Sequence, residues 1–134
     1  MTVNVHANTH VKTVLVVDDE PVLRAIVREI LHEEGYAVIE AADGRVMLEI
    51  MARERPDLVL MDVMMPGVDG REAYRQLRSR PEHQDVPVVM MSAAVQSNGL
   101  DPSISGFLAK PFDLNRLVEL VVRLIGHPHG IGCA

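Results

Sequence analysis

Five short apolar runs punctuate the chain, at residues 12–17 (KTVLVV), 36–40, 57–61 (DLVLM), 86–91 (VPVVMM) and 106–109. They are continuous rather than alternating, the pattern of strands covered on both faces. Between them lie segments with helical spacing. Val22, Ile26, Ile30 and Leu31 share a face after Pro21, which suits a first helical turn, and Gly35 ends that helix. A second helix over 44–53 groups Val46, Met47 and Ile50, and a third over 70–79 carries Tyr74 and Leu77. The last, over 113–125, opens on Asp113 as N-cap and carries Leu114, Leu117, Leu120, Val121 and Leu124.

This alternation of strand and helix, with short connections, predicts βαβ crossovers and a parallel sheet sandwiched between helices. In such sheets ligands bind beyond the carboxyl ends of the strands. One segment breaks the rhythm. Residues 96–105 (QSNGLDPSIS) contain Asn98-Gly99 and Asp101-Pro102, both turn signals, so at most a turn or two of helix is expected there. The chain divides into a tail over 1–10, one domain over 11–125 and a loop-like tail over 126–134, both tails expected to be disordered.

A chain of 134 residues is long enough for one domain with a real core, and with 3% aromatics and no Trp that core must be aliphatic and methionine-rich. Met61, Met65, Met90 and Met91 read as core or near-site fillers. A net charge of -6, with 13 basic residues scattered among 19 acids, argues against a nucleic-acid surface. Residues 1–10 lack the apolar stretch of a secretory signal, and no apolar run approaches membrane-spanning length, so a cytoplasmic protein is expected. The lone Cys133 reads as a free tail thiol, and His127 and His129 near it as part of a solvated terminus.

The candidate chemistry lies at the strand ends: Asp18, Asp19 and Glu20 after the first strand, Asp62 after the third, Ser92 after the fourth and Lys110 after the fifth. Singly each is ordinary, since acids and serines at such positions commonly cap helices. Jointly they differ. Three carboxylates held close repel one another unless a cation neutralises them, and oxygen ligands with room for water suit Mg²⁺, with Mn²⁺ as a substitute. A lysine beside such a site implies further negative charge, and Ser92 adds a hydroxyl. Carboxylate nucleophile, metal, lysine and hydroxyl together suit in-line phosphoryl transfer to an aspartate.

The sequence resembles the receiver domains of response regulators through VLVVDDEP (14–21), DLVLMDVMMPGVDG (57–70), PVVMMSA (87–93) and FLAKPF (107–112), over residues 12–125. The resemblance implies a flavodoxin-like, doubly wound five-stranded parallel sheet in the order 2-1-3-4-5, with helices on both faces and the fourth helix short or irregular. It implies that Asp62 is the phosphoacceptor, that Asp19 binds Mg²⁺ directly with Asp18 contributing through water, and that the Met64 backbone carbonyl completes the protein's share of the shell. Lys110 would pair with the phosphoryl group, the Lys110-Pro111 peptide would be cis, and Ser92 and Phe107 would form a switch. The stretch from Ser92 to Lys110 is shorter than usual in that family, which puts its output surface in question. Met64 and Ala94, flanking the phosphoryl group, offer nothing to orient an attacking water, so slow dephosphorylation is expected.

The implied function is a two-component or phosphorelay receiver, not a turnover enzyme, acting as a monomer or weak dimer. It would take its phosphoryl group from a sensor histidine kinase or histidine phosphotransfer protein. Whether it stands alone, relays onward or belongs to a longer regulator stays open. A phosphorylation-independent binding module is the alternative, opposed by the complete residue set. An aspartate-dependent phosphatase would want a carboxylate where Met64 stands, and a flavin protein would want a Gly/Ser/Thr-rich loop where DDEP stands.

Overall fold

The computed structural model describes residues 11–67, 69–93 and 100–129. Five parallel strands, β1 (Thr13–Val17), β2 (Ala37–Ala41), β3 (Leu58–Asp62), β4 (Val88–Ser92) and β5 (Gly106–Ala109), form one sheet in the order β2-β1-β3-β4-β5. The helices are α1 (Pro21–Glu34), α2 (Gly44–Arg53), α3 (Gly70–Arg78) and α4 (Leu114–Ile125), with a 3-10 turn at Pro81–His83. The expected flavodoxin-like doubly wound sheet is thus the observed one.

Side chains of the central strands divide by parity, as the two-residue repeat of a strand requires. Leu15, Val17, Val59, Met61, Val88 and Met90 pack with Met47, Ile50, Tyr74 and Leu77 of α2 and α3. Val14, Val16, Leu58, Leu60, Val89 and Met91 pack with Val27, Leu31, Leu117 and Val121 of α1 and α4. Both faces are therefore dry, which is why the strands read as unbroken apolar runs. Met61, Met65, Met90 and Met91 are all buried, as expected.

Local signals act as anticipated at several ends. Pro21 occupies the first turn of α1, Gly35 closes it at φ 105°, and Asp113 caps α4 by accepting from the Asn115 N–H. Asp43 and Asp69 cap α2 and α3 in the same way.

Three expectations need correction. The buried stripe of α1 is Leu23, Val27, Ile30 and Leu31, whereas Val22 is 70% and Ile26 43% exposed. Two apolar stripes lie side by side on this helix, and the sheet and α4 cover only one. Strand bounds shift by one or two residues, so that Asp62 and Ser92 are the last residues of β3 and β4 rather than the residues after them. Finally, residues 126–129 are part of the fold and not a loose tail. The Lys12 N–H donates to the Pro128 carbonyl at 2.8 Å, Val11 bridges His129, and the Tyr36 hydroxyl donates to the Gly126 carbonyl at 2.6 Å. The anticipated tail over 1–10, the remaining tail with Cys133, Asn98-Gly99 and Ala94 lie outside the described residues.

Residues 100–105, ahead of β5, contain no helix. Ser103 anchors that stretch: its N–H and hydroxyl both donate to Asp101 Oδ1, at 2.9 and 2.7 Å. This agrees with the turn signals in the sequence.

Candidate metal and phosphoryl site

The carboxyl ends of β1, β3, β4 and β5 carry the predicted residues to one rim. Asp18 follows β1, Asp62 ends β3, Ser92 ends β4 and Lys110 follows β5. Backbone pairing continues past the strands: the Lys110 N–H donates to the Ser92 carbonyl at 2.9 Å and the Val63 N–H to the Met91 carbonyl at 2.9 Å. These bonds fix where each side chain begins. Strand alternation then groups Asp62 with Leu58 and Leu60 on the α1/α4 side, while Ser92 follows Met90 to the α2/α3 side, where half-buried Phe107 also packs. Asp62 and Ser92 thus leave adjacent strands on opposite faces of the sheet at one rim.

Asp18 is fully buried and tied at every polar atom. Its N–H donates to the Ala41 carbonyl at 3.1 Å, and its Oδ1 accepts from the Glu20 N–H at 2.9 Å. Its Oδ2 lies 3.0 Å from Lys110 Nζ, and its carbonyl accepts from an Arg24 guanidinium N–H at 2.7 Å. Asp62 is 5% exposed, with Oδ1 accepting from the Met64 N–H at 3.3 Å and Oδ2 3.4 Å from Lys110 Nζ. Asp19 is exposed. One carboxylate oxygen from each of Asp18, Asp19 and Asp62 lies within 4.8 Å of the others. The Lys110-Pro111 peptide is cis, as expected.

Charge balance shows what the rim lacks. Burial pushes the Asp62 carboxyl above its ordinary range, the Lys110 ammonium pulls it down and Asp18 pushes it up again, leaving it raised. Burial works against the Lys110 ammonium too, but its bond to Asp18 and the charges of Asp18 and Asp62 outweigh that, so its pKa is raised and it stays a cation. One ammonium thus faces three carboxylates. A hard divalent cation fits this donor set: the ligands are oxygens, the charge deficit is positive, and exposed Asp19 leaves one side open to water.

Two contributors are not singled out by sequence reading. Gly70 opens α3 directly against the end of β3, where a Cβ would stand 2.5 Å from the Asp62 carbonyl oxygen and 2.8 Å from Val63 Cα. Its N–H also donates to the Val63 carbonyl at 2.8 Å, so the missing side chain is what lets α3 seat against the backbone of Asp62 and Val63. Arg24 is the other; nothing in a lone arginine on a helix announces a bond to a carbonyl six residues back.

Comparison with known proteins agrees with this geometry. The family model described as the response regulator receiver domain matches residues 14–122. Response regulator MprA of Mycolicibacterium vanbaalenii is 42% identical over 116 residues, covering 84% of this chain and 49% of its own length. MprA of Mycobacterium leprae is 40% identical, with 50% of its length covered, so the chain spans about half the length of these curated relatives. Among solved structures, chemotaxis protein CheY4 of Vibrio cholerae superposes with a TM-score of 0.79 at 30% identity, covering 85% of this chain and 98% of that one. The receiver domain of sensor histidine kinase PA1611 from Pseudomonas aeruginosa, solved with magnesium coordinated in its active-site cleft, gives a TM-score of 0.79 at 33% identity, covering 86% and 98%.

Proposed function

The chain belongs to the response regulator receiver domain family, and from that premise we propose that Asp62 accepts a phosphoryl group from a phosphohistidine and that the added charge changes how the domain binds a partner protein. The observation that carries this reading is the meeting of Asp18, Asp19 and Asp62 within 4.8 Å, with the Lys110 ammonium against Asp18 and Asp62.

Asp19, Asp62 and the Met64 backbone carbonyl would hold Mg²⁺, or Mn²⁺ in its place, with Asp18 contributing through water. When bound, the cation offsets carboxylate charge and draws phosphate oxygens to the acceptor. An Asp62 carboxylate oxygen attacks phosphorus as the P–N bond to the donor imidazole breaks, and the imidazole leaves with its electron pair and takes up a proton. The product is an aspartyl phosphate. Lys110, kept cationic by its acidic neighbours and 3.4 Å from Asp62 Oδ2, would pair with the transferred group's oxygens. Ser92 would bond one of those oxygens, and Phe107 would then repack on the α2/α3 side of the sheet. Phosphorylation shifts that equilibrium only as far as it favours one arrangement over the other.

A groove of about 530 Å³ opens beside Lys110, between the uncovered stripe of α1 (Val22, Ile26) and Pro111, Phe112 and Leu114. It offers a phosphohistidine-bearing kinase or phosphotransfer protein an apolar seat next to the acceptor. Among the described residues no helix is long and apolar enough to cross a membrane.

A small-molecule acyl phosphate tests the reading. With Mg²⁺, intact-mass spectrometry should show one phosphoryl group on the wild type and none on Asp62→Asn. A wild type that stays unmodified, or a variant modified equally, would overturn it in favour of a binding module that works without phosphorylation.

A further inference from the structure

Arg24 lies one turn into α1 with its side chain only 19% exposed. Its Nε donates to Glu40 Oε1 on β2 at 2.9 Å, while a terminal N–H donates to the Asp18 carbonyl at 2.7 Å. Glu40 is itself held at both oxygens, since Arg28 donates to Oε2 at 2.9 Å. A fork of donors thus spans from a fixed carboxylate on the sheet to the peptide that joins Asp18 to Asp19.

That peptide is the pivot of the acidic turn. Asp18 is fixed by its N–H on Ala41, and Glu20 by its N–H on Asp18 Oδ1, but Asp19 between them is exposed. Its direction is therefore set by the plane of the Asp18–Asp19 peptide, whose oxygen, among the described residues, is held by Arg24. Electrostatics alone disfavours a guanidinium here, because a positive charge beside a cation site weakens cation binding. A geometric role accounts for it.

We propose that Arg24 is a positioning residue: it clamps the Asp18–Asp19 peptide to β2 through Glu40 and so holds the acidic turn toward Asp62 in readiness for a divalent cation. The metal part of this inference rests on the phosphoryl-acceptor reading above.

Arg28 supplies the control, because Arg24→Gln and Arg28→Gln each remove one bond to Glu40 but only the first releases the Asp18 carbonyl. Mg²⁺ affinity is measured by calorimetric titration, and amide hydrogen exchange at Glu20 is followed without metal. Arg24→Gln is expected to weaken Mg²⁺ binding by about tenfold, the scale on which outer partners of metal ligands act, and to speed Glu20 exchange. Arg28→Gln should leave both close to wild type. Losing a positive charge pulls the other way, so unchanged or tighter Mg²⁺ binding in Arg24→Gln, or equal weakening in the two variants, overturns the clamp. A wild type that binds no Mg²⁺ refutes the acceptor reading instead, and the clamp then stands or falls on whether Glu20 exchanges faster in Arg24→Gln than in Arg28→Gln. If Arg24→Gln does not fold, Arg24→Lys, which keeps the charge but lacks the fork, is judged by the same two measurements.

Discussion

The hydroxyls of Tyr74 and Ser103 lie 2.6 Å apart, joining the middle of α3 to the turn that precedes β5. Arg78 extends the link, donating to the Tyr74 hydroxyl at 3.1 Å and to the His83 carbonyl at 2.6 Å. A buried tyrosine tip and a short polar chain thus fasten a segment that has no helix of its own. Tyr74→Phe is expected to lower the unfolding free energy by about 1 kcal/mol, the net worth of one such bond. Urea unfolding measures it, and an unmoved midpoint would mean that water replaces the hydroxyl without loss.

Burial raises the pKa of Asp62, and the ammonium it shares with Asp18 only partly compensates. Without metal, Asp62→Asn should therefore be more stable than wild type at neutral pH, because a carboxyl whose pKa is raised on folding costs stability when charged. Adding Mg²⁺ should raise the melting temperature of the wild type and leave that of the variant nearly unchanged. A variant less stable than wild type in chelator would contradict the charge balance drawn here.

Glu40 carries the pH dependence of the brace. Burial would raise its pKa, but hydrogen bonds and charge from Arg24 and Arg28 dominate and hold it below the ordinary 4.5. A depressed carboxylate binds fewer protons folded than unfolded, so its contribution is present above the ordinary value and fades as pH falls through the lowered one. With 27% of its side chain exposed, solvent screening limits the contribution to roughly 0.5–1 kcal/mol. The stability gap between wild type and Glu40→Gln should be open at neutral pH and close in acid. A gap independent of pH would assign the loss to packing instead.

Met64 is 55% exposed and its N–H donates to the Asp62 carboxylate, the acceptor in the proposed function. A thioether beside the aspartyl phosphate cannot orient water, so the phosphorylated state should persist for minutes or longer in Mg²⁺. Met64→Asn, which supplies a hydrogen-bonding group, should shorten that lifetime by about tenfold or more. Radiolabel decay or intact mass over time measures both, and a wild-type lifetime of seconds would contradict the expectation.

Much of this protein was legible in its sequence because two independent patterns agree. Continuous β-branched runs give the strands, and the chemistry-bearing residues fall where those runs stop, so Asp18, Asp62, Ser92 and Lys110 could be brought together before any coordinates. The sequence was ambiguous where two solutions share one pattern. The doublet of apolar stripes on α1 does not say which one the sheet covers, and Val22 and Ile26 went to the uncovered side. Arg24 and Gly70 were illegible for another reason: their roles are bonds to, and space for, backbone atoms, which leave no trace in side-chain type. Residues 126–129 looked like a frayed end because Gly and Pro signal turns, yet nothing local reveals that Tyr36 and Lys12 wait to receive them.

That closure of residues 126–129 onto residues 11 and 12 has a practical corollary. Strands of this sheet all start on one side and finish at the acidic rim, and Val11 and His129 meet beside the start of β1. A fluorophore attached at Val11 or at His129 would therefore stand at the pole opposite the carboxylates, away from Asp62.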